Sequence, residues 1–203
     1  MRGVSVEVKL MFAVLAIVLG AGSLGVWTSI SVYERNAEQA GIITLRRAAD
    51  FFASRQRGEI EKLAATLDAL QADRDLREAF LARDRARLLA LADPVFRTLS
   101  ERDRVTHFYF HEPAPSAAVF LRVHRPELHG DRVERVTLRK AVETQEIGAG
   151  LELGRTAFAL RVVRPWTVDG KLIGYVELAE EIDNFLQTVK GRTGDEYGLI
   201  VKK

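Results

Sequence analysis

The chain has 203 residues, 30 Lys and Arg against 28 Asp and Glu, and no cysteine. Without cysteine there are no disulfides, thiolate catalysis, cysteine-bound zinc or covalent c-type haem. Acids and bases are interleaved throughout, as in Arg132-Val133-Glu134-Arg135, so the pI near 9.0 comes from a near balance of charge. With no isolated basic block, a nucleic-acid partner is not expected.

From Leu10 to Val32 no residue is charged. About 20 apolar residues cross the hydrocarbon core of a bilayer, so the composition predicts a transmembrane helix over 10–32 with the lipid bilayer as its partner. Trp27 and Tyr33 lie near its outer end, where amphipathic rings settle at the interface. Arg2 and Lys9 place residues 1–9 in the cytoplasm. The competing reading is a cleaved signal peptide. Its apolar region usually runs only about 7–15 residues, although Gly20-Ala21-Gly22-Ser23 offers small residues for cleavage.

From Ala37 to Leu70 the spacing predicts a long membrane-proximal helix. Leu45, Ala49, Phe52, Ile60, Leu63, Leu67 and Leu70 recur at helical intervals, and proline is absent. The stripe suits packing on a domain, or on a sister helix in a homodimer; it is not a clean heptad, so both readings stand. Residues 73–81 and 84–99 read as shorter helices. Asp84 is the N-cap of the second, and Pro94 kinks it or starts a new turn.

From Val105 the period changes. Residues 106–110 are β-branched and aromatic, 111–116 form a turn, and 118–123 form a second strand, an antiparallel hairpin. Residues 131–145 read as a polar helix or helical loop ended by Gly148 and Gly150, with Gly148-Ala149-Gly150 as a loop. A third strand is expected at 158–163, a turn at 166–171 around Asp169-Gly170, and a fourth strand at 172–178. Glu180-Glu181-Ile182-Asp183 is expected to open a last helix over 184–190. Tyr197 to Val201 resembles a strand with no partner after it, as in a truncated chain, so 191–203 is read as the start of a further segment. The expected fold class is α+β: one domain over 33–190, an antiparallel sheet with the preceding helices on one face and a helical insertion.

The candidate chemistry lies on the strands. Alternation puts Phe120, Arg122 and His124 on one face. If the third strand neighbours the second, Arg161 joins them, with Tyr109, Tyr175 and Phe120 as walls. Arginine grips carboxylates through two parallel donors and histidine adds another. The structural alternative is that Arg122 and Arg161 pair with Glu152, Glu177 or Asp131 and tie the sheet to its insertion; periodicity alone does not separate the two. His107 and His111 are four apart, which on a strand means roughly 13 Å, too far for one metal ion, and His124 and His129 flank a turn. No nucleophile elbow or phosphate loop is present, and no cofactor is implied.

Two stretches carry a resemblance. One is Phe120-Leu121-Arg122-Val123-His124-Arg125-Pro126-Glu127 followed by Gly130-Asp131. The other is Leu160-Arg161-Val162-Val163-Arg164-Pro165 followed by Gly170-Lys171-Leu172-Ile173-Gly174-Tyr175-Val176-Glu177. In order and spacing they resemble the Cache family of PAS-like extracytoplasmic sensor domains, in the double-Cache form of bacterial sensory kinases and chemoreceptors. His107-Phe108-Tyr109-Phe110 and Glu152-Leu153-Gly154 fit the same pattern. The resemblance implies a PAS-like sheet and a sensor domain in the periplasm, held by a single pass in the inner membrane. In dicarboxylate- and citrate-sensing relatives, arginines matching Arg122 and Arg161, with a histidine near His124, hold ligand carboxylates. Those relatives have His-Pro directly, whereas this chain has His124-Arg125-Pro126.

The resulting expectation is a ligand-sensing domain, not itself an enzyme, that binds a small molecule and signals through its long helix. Two rivals are a metal-assisted membrane-tethered enzyme using His107, His111 and His124, and a ligand-free membrane-tethered scaffold.

Overall fold

The computed structural model describes residues 5–154 and 158–193. The chain forms two compact units, Met1–Ala53 and Ser54–Lys203. The first helix, α1 (Val6–Ala72), contributes to both. In the first unit, Leu10–Tyr33 is a helical stretch of 24 residues with mean hydropathy 2.2. At 1.5 Å per residue it is long enough, and by composition apolar enough, to cross a membrane.

In the second unit α1 is followed by α2 (Arg74–Leu81) and α3 (Arg85–Asp103). Asp73 and Asp84 accept from the backbone N–H groups of Leu76 and Arg87, each at 2.9 Å, which satisfies donors that a helix start leaves open. α3 runs through Pro94 to Asp103 without starting anew, and its Leu88 and Ala92 lie in the core.

The sheet comprises β1 (His107–His111), β2 (Val119–Arg122), β3 (Gly148–Leu153), β4 (Phe158–Val168) and β5 (Lys171–Glu181), with α4 (Val136–Thr144) between β2 and β3 and α5 (Ile182–Thr193) after β5. All pairings are antiparallel, in the order β2-β1-β5-β4-β3. The α+β expectation holds. Asp169 and Gly170 both take positive φ, 49° and 76°, as a two-residue hairpin turn of the right twist requires.

Three expectations change. Residues 148–153 form an edge strand, not a loop: a Cβ on Gly148 would lie 1.9 Å from the Thr137 carbonyl oxygen, so glycine is there to let α4 approach. β4 extends through Trp166 to Val168, and Pro165 is tolerated because the β3 ladder stops at Val163. Glu180 and Glu181 end β5 and do not open a helix. The strand expected at 197–201 lies outside the described residues.

One sheet face carries the main core. Leu63, Leu67 and Leu70 of α1, Leu76 and Phe80 of α2 and Leu88 of α3 pack on Phe108, Phe110, Leu121, Val162, Trp166, Val176 and Leu178. The Phe80 ring stacks on Trp166 at 5.3 Å. On the opposite face Leu138 and Ala141 of α4 pack on Val163 and Tyr175. That second face, under the insertion, holds the polar residues.

Candidate functional site

Strand register lines up Arg122, Tyr109, Glu177 and Val163 across β2, β1, β5 and β4. One step along, His107 and Arg161 flank Ala179; one step the other way, His111 pairs with Tyr175. Period-two alternation gives all these side chains the face opposite the main core.

Glu177 is the hub. Its Oε1 accepts from Arg161 Nη1 at 2.9 Å and from Arg135 Nη1 at 2.5 Å. His111 Nε2 donates to Oε2 at 3.0 Å. Burial by itself would raise the Glu177 carboxyl, but Arg135, His111 and Arg161 together hold it well below the usual carboxylate range. Arg135 stands immediately before α4, so the insertion is pinned to the sheet; its Nη2 also donates to the Tyr109 hydroxyl at 3.0 Å, and the guanidinium lies over that ring. Burial works against the Arg135 cation, and Glu177 and Tyr109 more than compensate.

Glu152 closes the other end. It accepts from the backbone N–H groups of Val136 and Thr137 and from the Thr137 hydroxyl, a cap supplied by β3 to the start of α4. Arg161 Nε lies 3.6 Å from it. Arg122 makes a two-pronged pair with Asp131, both contacts 2.7 Å, and donates to the Leu128 carbonyl at 2.6 Å. The Asp131 hydrogen bond, above all, raises the Arg122 pKa. Formal charge on this face is balanced: three arginines against Asp131, Glu152 and Glu177.

The structure brings Arg122, Tyr109, Arg161 and Tyr175 to one face but not into one tight constellation. β4 and β2 are not neighbours; β1 and β5 lie between them, so Arg122 and Arg161 are about 14 Å apart in strand spacings. Both arginines make the internal ion pairs of the structural alternative. Phe120 leaves the expected face. A bulge between the Phe110–Leu121 and His111–Val119 pairs makes it the extra residue, and its ring meets Phe80 edge-on at 5.5 Å. Tyr175 is buried, its hydroxyl accepting from Gln145. His124 sits past β2, where its Nδ1 accepts from the Phe108 N–H at 3.2 Å and its ring abuts Tyr109 and His107, both at 4.8 Å. Burial drives His107 down to about 3 and His124 to about 4, so both are neutral near pH 7. Among the described residues no three His, Asp or Glu side chains gather at metal-binding distance.

Sequence reasoning named Glu177 only as a partner and missed Arg135. A charged residue between Val176 and Leu178 in an apolar strand was the available signal for the first. Nothing local marks the second, because its contacts lie 26 and 42 residues away.

The profile of the dCache_3 family, the double sensory domain of two-component sensor kinases, matches residues 56–203. The chain belongs to this family.

Solved structures share the dCache_3 member's fold. The E. coli DcuS sensor domain superposes with TM-score 0.56 at 18% identity, covering 68% of this chain and 98% of that one. The V. cholerae histidine kinase DctB sensor domain gives TM-score 0.57 at 13% identity, covering 76% of this chain and 61% of that one. At such identities the likeness speaks for the fold alone. The chain therefore spans about three-fifths of the DctB domain. No curated protein matches the chain.

Proposed function

We propose that this dCache_3 member is the extracytoplasmic sensory part of a single-pass inner-membrane receptor, anchored by Leu10–Tyr33, and that it binds a small carboxylate beneath the 123–147 insertion. The supporting observation is the Arg122–Asp131 pair. Arg161 is held by the fully buried Glu177, whose loss would strand a charge. The Asp131 side chain is 41% exposed and lies in the loop between β2 and α4, so a ligand carboxylate can take its place on Arg122 at little cost in desolvation.

In this reading Arg122 grips the ligand, Tyr109 supplies the floor and His124 borders the rim. Displaced Asp131 releases its loop, and Arg135 carries the shift to α4 and Glu177. The sheet passes it to α1, paired with a second copy along residues 37–70, and so to the membrane.

The test is a thermal-shift screen of the full chain in detergent with small mono- and dicarboxylates. At least one should raise Tm, Arg122→Ala should abolish the rise, and Asp131→Asn should enlarge it by removing the competitor. A panel that leaves Tm unmoved, or an unaltered rise in Arg122→Ala, would reject the reading.

A further inference from the structure

A second cluster of ionisable groups lies on the other side of the sheet. Val176 and Leu178 of β5 point into the helix-face core. Glu180, two residues on, shares that face. It is 5% exposed, and its Oε2 has no hydrogen-bond partner. Glu59 of α1, 4% exposed, is brought towards it by the chain around Asp103: Lys62, one turn on from Glu59, reaches the Asp103 carbonyl, and Thr106 N–H donates to the carbonyl of Ala179, the residue before Glu180, at 2.8 Å. The Glu59 oxygens are already taken: Arg55 Nη2 lies 2.6 Å from Oε1, and Lys62 Nζ lies 2.6 Å from Oε2. Lys62 also reaches the Asp103 carbonyl at 3.5 Å, and Arg104, which ends α3, is the remaining charge facing Glu180. Across the β4 ladder Glu180 pairs with Leu160, which carries no charge.

We propose that Glu59 and Glu180 form a proton-operated latch between α1 and the end of β5, closed when Glu180 is protonated and released when it ionises. The position gives the latch its consequence. β5 ends at Glu181 and α5 begins at Ile182 without a linker, so a shift at Glu180 moves the start of α5. A neutral Glu180 can stay beneath α1 next to Glu59. An ionised one places two buried carboxylates side by side where Arg55 and Lys62 already serve Glu59, and the strain is relieved by moving towards water. Burial first, and Glu59 second, push Glu180 up to about 7, against the smaller pull of Lys62, Arg55 and Arg104. This device is independent of the carboxylate site and responds to proton concentration.

The chain has no native cysteine, so spin labels can be placed at Glu61→Cys on α1 and Gln187→Cys on α5, both exposed positions. Label separation is read by pulsed EPR on the full chain in nanodiscs from pH 5.5 to 8.5. The separation should lengthen as pH rises through about 7. Glu180→Gln should hold the low-pH separation throughout, and Glu59→Gln should move the midpoint down. A separation unchanged with pH, or the same response in Glu180→Gln, would overturn the latch. Should Glu180→Gln fail to fold, an unmoved midpoint in Glu59→Gln would overturn it equally.

Discussion

Arg161 donates to Glu177 across the β4–β5 boundary at 2.9 Å, and the two side chains are 1% and 0% exposed. A pair this dry is a commitment of the fold: removing either partner leaves a charge that water cannot reach. Arg161→Ala is therefore expected to cost about 3–5 kcal/mol in urea unfolding. A loss below about 1 kcal/mol would show that Arg135 and His111 hold Glu177 without help.

Arg122 should behave differently. Its partner is half open to solvent, so Arg122→Ala should cost only about 1–2 kcal/mol. The effect should be local. Gly130 N–H donates to the Val119 carbonyl at 2.7 Å, and Val119 N–H to the Asp131 carbonyl at 2.9 Å. Both amides should exchange with deuterium roughly tenfold faster per 1.4 kcal/mol lost, while Val162 and Leu178 keep their protection. Uniform loss of protection across the sheet would refute a local role.

Two glycines make opposite predictions. Gly148→Ala drives a methyl into the Thr137 carbonyl, backbone against backbone, and should cost about 3 kcal/mol or more. Gly58→Ala, in an exposed helical position with open space around it, should stabilise by about 0.5–1 kcal/mol. Calorimetric Tm values of the two variants should move in opposite directions; a Gly148→Ala protein as stable as the parent would contradict the α4–β3 packing described above.

The histidines set an acid limit. His107 and His124 are depressed to about 3 and about 4 in the folded state, against about 6.5 unfolded. The unfolded chain therefore takes up protons first as pH falls below about 6.5. Stability from this pair is complete above that value and is lost on acidification, on the order of 1–2 kcal/mol per histidine by pH 5. Glu180 acts in the opposite sense. Raised from about 4.5 to about 7, it stabilises at low pH and loses that contribution as pH rises through 7. The histidine effect should thus be read in a Glu180→Gln background, where His124→Asn should flatten about half of the acid slope in urea midpoints. An unchanged slope would mean that His124 is already protonated when folded.

The sequence determined what local chemistry governs. Charge-free length marked residues 10–32, 3.6-residue spacing marked α1 through Leu63, Leu67 and Leu70, Asp84 marked the start of α3, and Asp169-Gly170 marked the β4–β5 hairpin. The order of the arginine strands marked the family. Tertiary structure decided the partners. β5 inserts between β1 and β4, which separates Arg122 from Arg161; a bulge turns Phe120 to the helix side; Gly148 becomes a strand because α4 needs the room; and Arg135 reaches Glu177 over 42 residues. Side-chain periodicity reports which face a residue occupies, because that follows from its own backbone. Which opposite charge meets it there depends on strand order and on chain segments far away in sequence. The candidate pocket was therefore legible as a set of residue types, and the choice between a free cation and an internal ion pair was not.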